Sequence, residues 1–331
     1  MSFILFIGYT VDLGSKRVSI ARKNHLTALH GFIGMDVQER LNLLTAQRLA
    51  SWGTRYGKIC RVMRPFCGAL NRLTWGRKDP LALFSLTAQA AVAIQCWRAM
   101  LCLVRYREAK FTRTIESFVP ATPVLIAEFD ASLRGAGLIW YAVEDGAEVA
   151  RGFSAVDLTF LGFGVDSSFQ NLSEFIGAIL AVMEQIVLGR STQSLALRGD
   201  SVTALTWSIT ERVRGLIVSN ASMVWTVLCV TADINVQQIV HIAGVDNKKC
   251  DQLSRRGNQS VMTLEDEARS MGMKEFDLVE VNGDESMMEV LRLCDPRRKL
   301  ETEDEFVRFW SDVRKSIANF LHVHPTYPRH L

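Results

Sequence analysis

Four acidic residues stand where a carboxylate is costly or conspicuous. Asp130 lies inside the apolar run "VLIAEFDAS", Glu174 near the start of "NLSEFIGAILAVMEQIVLG", Asp200 at the close of "SLALRGD", and Asp251 within "VDNKKCDQLSRR". An aspartate in a strand this apolar is expensive to bury without a partner or a cation. The other three have ordinary readings. Glu174 and Asp251 can complement helix dipoles in a first turn, and "GDS" can be a turn with an N-cap. Gathered in one place, the four would repel one another unless a divalent cation neutralised them. A ligand set made of oxygen alone favours Mg²⁺, with Mn²⁺ as a substitute. Two such ions about 4 Å apart can activate a water and stabilise the leaving oxygen of an in-line attack on a phosphodiester.

The elements that would have to position these acids can be read from periodicity. "VLIAEFDAS", "GAGLIWYAV" and "AEVARGFS" are three strands joined by short turns. The next segment carries Leu172, Ile176, Ile179, Leu180, Met183 and Val187 on one helical stripe, which predicts an amphipathic helix with Glu174 in its first turn. "SLALRGD" is a short strand, "SVTALTWSITERV" and "NASMVWTVLCVTA" are helical, "INVQQIVHI" alternates like a strand, and "VDNKKCDQLSRR" closes as a helix. The order βββ-α-β-α-(α)-β-α makes a mixed sheet with helices, in which the first helix is a crossover.

Upstream, "FILFIGYTVD" and "RVSI" flank the turn "LGSK" and predict a hairpin. Asp36 and Glu39 stand at capping-box spacing before "LTAQRLASWGTRYGKICRVM", a helical run studded with Arg and Lys, and Pro80 is expected to open a further helix. "FVPATP" marks a boundary. The expected organisation is a β-hairpin over 1–22, a helical region over 23–119, an α/β domain over 120–258 and an acidic extension over 259–331 with one amphipathic helix.

Residues 124–256 resemble the ribonuclease H domain attached to reverse transcriptases. The resemblance rests on "FDASLRGAGLIW", "QNLSEFIGAIL", "LRGDSVTALTW" and "HIAGVDNKKCDQLSRR", in that order. It implies a five-stranded mixed sheet with flanking helices. It also implies hydrolysis of the RNA strand of an RNA–DNA hybrid, with Asp130, Glu174, Asp200 and Asp251 holding two Mg²⁺ ions. His241 would assist proton movement or product release, Asn247 would fix the start of the last helix beside the nucleic acid, and Asn171 and Ser173 would contact the hybrid's backbone. The front of the chain resembles the end of the palm and the thumb or connection region of retrotransposon reverse transcriptases, of the tyrosine-recombinase or LTR type. That implies template–primer phosphate contacts, with Arg48, Arg55, Lys58, Arg61 and Arg64 as candidates.

Charge fits this division. Residues 1–120 hold 18 Lys and Arg against 6 Asp and Glu, a balance of +12, and the remainder holds 20 against 29, a balance of −9. A basic front half suits a polyanionic partner and an acid-richer back half suits a cation site. No adjacent Asp-Asp pair occurs, so no polymerase activity is expected of this chain, and a non-catalytic nucleic-acid-binding protein is the alternative reading. Seven cysteines without a C-x-x-C pair argue against a disulfide frame or a zinc site and favour a reducing, intracellular setting, cytoplasmic or nuclear. The opening residues do not read as a signal peptide, and no membrane partner is expected.

Overall fold

The structure, a computed structural model, describes residues 3–6, 9–36, 40–59, 63–106, 112–114, 123–163, 169–189, 194–210, 217–232, 234, 236–256, 269, 285–300 and 302–324. Most of "FVPATP" and of the stretch from 257 to 284 therefore lies outside the described residues. The chain divides into two compact units. One comprises Met1–Pro120, Thr210–Leu216 and Lys299–Phe309, and the other Ala121–Ile209, Ile217–Arg298 and Trp310–Leu331.

The first unit carries a small antiparallel sheet of β1 (Phe3–Phe6), β2 (Tyr9–Asp12), β3 (Arg17–Ile20) and β4 (Thr112–Thr114), in that order. The expected hairpin is present as β2–β3, but the run before it is two strands rather than one. Phe6 pairs with Tyr9 across the two. Helices α1 (Arg22–Ile33), α2 (Leu43–Ile59), α3 (Arg64–Arg72) and α4 (Ala88–Tyr106) complete the unit. Its core centres on Trp97, whose ring stands 5.7 Å from those of both Phe32 and Tyr56. Side-chain caps set the helix starts. Helix α2 begins after Asn42, whose Oδ1 accepts from the Thr45 amide (2.9 Å), whereas Glu39 of the expected Asp36/Glu39 start lies outside the described residues. Helix α4 begins after Thr87, whose hydroxyl accepts from the Ala90 amide, and Pro80 opens no helix.

The second unit holds the five-stranded sheet, in the order β7-β6-β5-β8-β9. Strands β5 (Leu125–Ala131), β6 (Gly135–Glu144) and β7 (Ala147–Asp157) form an antiparallel meander. Strand β8 (Leu195–Gly199) runs parallel to β5, and β9 (Val236–His241) parallel to β8. Helix α5 (Gln170–Val187) makes the crossover from β7 to β8. Helices α6 (Val202–Thr210) and α7 (Ser219–Ala232) connect β8 to β9, and α8 (Lys248–Arg255) follows. The mixed sheet and its flanking helices are those the sequence predicts. Beyond them lie α9 (Glu285–Arg292) and α10 (Glu303–Val323), so the C-terminal part has a second helix where one was expected.

Helix α5 differs from expectation in a way that matters for the site. Every residue from Leu172 to Ile186 is buried, so the helix is enclosed rather than amphipathic. Its close seat on the sheet depends on Gly177, where a Cβ would stand 2.9 Å from the Phe129 ring. Glu174 lies one turn before that contact, which carries its carboxylate over the end of β5.

Candidate metal centre

The sheet geometry explains why carboxylates distant in sequence meet. Because β5 and β8 are parallel neighbours, their C-terminal ends lie at the same edge, and Asp130 and Asp200 come with them. Ligands in open α/β sheets bind at this end of the strands, at the point where strand order reverses. Here β5 is that point, with β6 on one side and β8 on the other. Helix α5 brings Glu174 to the same edge. Carboxylate oxygens of Asp130, Glu174 and Asp200 all lie within 4.8 Å of one another. They line an open pocket of about 640 Å³ together with Ser132, Arg134, Gln170, Asp251 and Arg255, among others.

The ordinary reading of "GDS" as a turn with an N-cap holds, with Ser201 as the cap of α6: its hydroxyl accepts from the Ala204 amide (3.3 Å), which leaves Asp200 free of that role. The ordinary reading of Glu174 loses ground. Helix α5 begins at Gln170, so Glu174 occupies the second turn rather than the first, beyond the reach of most of the dipole's benefit. Asp251 does lie in the first turn of its helix.

Hydrogen bonds hold the carboxylates in place. The Ser254 hydroxyl donates to Asp130 Oδ2 (2.7 Å). Gln170 Nε2 reaches both the Ala131 carbonyl (2.8 Å) and Glu174 Oε1 (3.0 Å). Asn247 Nδ2 spans the Phe129 carbonyl (3.1 Å) and Asp200 Oδ1 (3.3 Å). Glu174 Oε2 is buried and, among the described residues, has no hydrogen-bond partner. Burial, and then the nearby Asp130 carboxylate, push the Glu174 carboxyl up to about 8. Burial also raises Asp130, against the Ser254 bond, with Asp200 and Asp251 adding to the rise. An orphaned buried carboxylate oxygen beside two more carboxylates is a donor set that a hard divalent cation fits, since it satisfies the orphan and neutralises the crowding.

The remaining sequence candidates are distributed unequally. Asp251 lines the pocket, but its Oδ1 is held by Arg255 of its own helix, with Nε at 2.7 Å and a terminal nitrogen at 2.6 Å. His241 is exposed at the end of β9, paired in register with Gly199 next to Asp200, and is not among the pocket-lining residues. Asn171 is exposed at the start of α5. Ser173 corrects an expectation: it is 0% exposed, because α5 is enclosed on all sides, and so it presents nothing to a nucleic-acid backbone. Asn247 is equally buried, and its side chain does not cap α8 but ties β5 to Asp200. In the first unit Arg48 and Lys58 are exposed and Arg55 is half-buried. The Arg64 guanidinium donates to the Gly57 carbonyl (2.9 Å), and Arg61 lies outside the described residues. Sequence reasoning missed Gln170, Ser254 and Arg255. Their spacing held the signal: Gln170 is four residues before Glu174, and Ser254 and Arg255 are three and four after Asp251, which puts each on its acid's helix face.

No family model matches the chain, and no curated protein matches it. Among solved structures, it is similar to the foamy viral protease-reverse transcriptase in complex with dsDNA, at a TM-score of 0.26 and 10% identity over 61% of this chain and 37% of that one. The same viral protein in complex with an RNA/DNA hybrid gives a TM-score of 0.24 and 11% identity over 71% and 29%. The chain thus spans well under half the length of these proteins. At such TM-scores the likeness carries no part of the functional argument, which rests on the site itself. Among the described residues, no helix is long and apolar enough to cross a membrane.

Proposed function

We propose that the second unit is a Mg²⁺-dependent nuclease of the ribonuclease H type, hydrolysing the RNA strand of RNA–DNA hybrids, on a retroelement reverse-transcriptase body that lacks a polymerase centre. The observation that carries this reading is the convergence of Asp130, Glu174 and Asp200 within 4.8 Å, with one oxygen of Glu174 buried and, among the described residues, unsatisfied. Asp130, Glu174 and Asp200 would hold the metal, with Asp251 as a fourth carboxylate at the rim. Bound there, Mg²⁺ would supply an activated water and neutralise charge on the leaving oxygen.

The chain's own residues do the positioning. Ser254 and Gln170 keep Asp130 and Glu174 in fixed rotamers, and Asn247 fixes Asp200 against the end of β5. Asn171, exposed at the start of α5, would contact a substrate backbone, and His241, exposed at the end of β9, would assist proton movement or product release. The 2′-hydroxyls of the RNA strand, displayed in the wide minor groove, would single it out. In the first unit Arg48, Arg55 and Lys58 recur at spacings of seven and three on α2, which puts them on one helix face suited to phosphates.

The test is cleavage of a labelled RNA–DNA hybrid by the full chain in Mg²⁺ and in Mn²⁺, beside Asp130→Asn and Asp200→Asn. Metal-dependent cutting that both variants abolish is expected. A folded protein that leaves the hybrid intact with either ion, or cutting that survives Asp200→Asn, overturns the reading. One observation favours the alternative, a non-catalytic nucleic-acid-binding protein: the Arg255 guanidinium already sits in the pocket against Asp251. Hybrid binding without metal-dependent cutting would establish that alternative.

A further inference from the structure

Two neighbouring residues of helix α8 act on the acidic pocket in opposite ways. Ser254 donates to Asp130 and so helps complete the buried trio. Arg255, one residue on, turns back to grip Asp251 with two nitrogens on a single carboxylate oxygen. The trio has its own independent sign of a cation site in Oε2 of Glu174, a residue 8% exposed, which has no hydrogen-bond partner among the described residues. Asp251 has none, because a cation of the protein's own already neutralises it. Asp251 is also absent from the group of carboxylates within 4.8 Å of one another.

We propose that Arg255 is a built-in counter-ion standing in for a second metal ion, so that the pocket loads in two unequal steps. This rests on the metal-dependent reading above and deepens it. The first ion enters the buried trio and displaces no side chain of the protein. The second must take Asp251 from Arg255, and the freed guanidinium then faces the pocket mouth. Charge shows what Arg255 would do next. The pocket lining sets Asp130, Glu174, Asp200 and Asp251 against Arg134 and Arg255, a formal balance of −2 with all four acids bound as carboxylates, so one divalent ion leaves 0 and two leave +2. A substrate phosphodiester, at −1, reduces that excess. The exchange therefore couples the second ion to the nucleic-acid strand, with Arg255 moving from a carboxylate to a phosphate, both of which its planar fork fits.

The pair is an i,i+4 contact between side chains 71% and 41% exposed, so it is a weak competitor rather than a block. Releasing it should strengthen the second step by about 1.5- to fivefold, the range for exposed ion pairs. The experiment is titration of the full chain with Mn²⁺ alone, followed calorimetrically and by the electron paramagnetic resonance of free Mn²⁺. The wild type should bind one ion tightly and a second more weakly. Arg255→Gln should tighten the second step by that factor and leave the first within about twofold. Arg255→Lys, which keeps the charge, should lie nearer the wild type, and Asp251→Asn should remove the second step alone. Because Arg255 is exposed, its variants are expected to melt within a few degrees of the wild type. One tight ion with no gain in Arg255→Gln, or a weakened second step, refutes the counter-ion role and leaves the metal site standing. Failure of the wild type to bind any ion refutes both.

Discussion

Glu174 offers the most direct test of the site, because its carboxyl is pushed to about 8 and a metal must bind it as a carboxylate. At pH 7 such a group is about nine-tenths protonated, so binding the first ion should release about 0.9 proton. The release should fall to about 0.1 at pH 9, and apparent affinity should rise about tenfold per pH unit up to 8 and then flatten. Asp130, also raised by burial, adds to the release toward lower pH. The same shift acts on the ion-free fold. Below the unfolded value of 4.5 the group is protonated in both states, and as pH rises toward 8 the unfolded chain ionises while the fold keeps its proton. Stability without metal is therefore lost over that window, by up to about 5 kcal/mol, and saturating ion restores it. Calorimetric titration with Mn²⁺ in two buffers of different ionisation enthalpy gives the proton count. A release below about 0.3 proton at pH 7, or an undiminished release in Glu174→Gln, would refute the assignment of Glu174 as a ligand whose proton the metal displaces.

Three further outcomes follow from neighbouring contacts. Gly137→Ala would put a Cβ 2.4 Å from the Cys250 carbonyl and from Leu253 Cβ, both on α8. The helix must then move, which should cost about 1–3 kcal/mol in urea unfolding and weaken Mn²⁺ binding together; wild-type binding would show that α8 does not set the site. Glu184 is wholly buried beneath the sheet, bonded by Trp140 Nε1 (2.8 Å) and the Ser154 hydroxyl, and burial pushes its carboxyl up to about 7. Its favourable protonated state is complete below about 4.5 and is lost as pH rises through 7. Glu184→Gln should therefore gain about 3 kcal/mol relative to wild type between pH 4 and 8 in chelator, and parallel stability–pH curves would contradict this. Arg198 pairs with Glu128 (2.8 Å) at side-chain exposures of 13% and 10%. Arg198→Ala should cost about 3–5 kcal/mol by stranding that carboxylate, whereas a loss under about 1 kcal/mol by chemical denaturation would mean Glu128 takes up a proton or finds water.

The acids were legible in the sequence for different physical reasons. Asp130 stood out because a carboxylate among Ile126, Ala127 and Phe129 has no inexpensive structural excuse, and in the structure it is buried beside other carboxylates with the Ser254 hydroxyl donating to it. Asp200 and Glu174 were legible only through their place at element ends, and for each the sequence left an ordinary alternative: the structure keeps "GDS" as a turn and cap but gives the cap to Ser201, and it moves Glu174 to a later turn. Helix starts upstream are set by side-chain caps that no spacing pattern marks. Asn42 and Thr87 carry no signal beyond their residue type, whereas Pro80 looks like a stronger start mark than it is. The enclosure of α5 was hidden for another reason. Its apolar stripe is real, but Glu184 and Gln185 on other faces are buried too, and periodicity counts them as solvent-facing.

The convergence itself depends on a pairing that no local pattern encodes. Strands β5 and β8 are 70 positions apart in register, Leu125 against Leu195, and only their parallel alignment brings Asp130 and Asp200 to one edge. An antiparallel pairing of the same two strands would place the acids at opposite ends of the sheet. What constrains the choice is the enclosed crossover α5, which joins β7 to β8 as parallel strands, while the antiparallel meander makes β7 parallel to β5; Gly177 lets that helix lie close enough for Glu174 to reach over the strand end. The helix that supplies the third carboxylate is thus also the element that aligns the other two. A substitution that lifts α5 from the sheet would disperse all three acids at once, while one at Arg255 would leave them together and change only what the fourth acid holds.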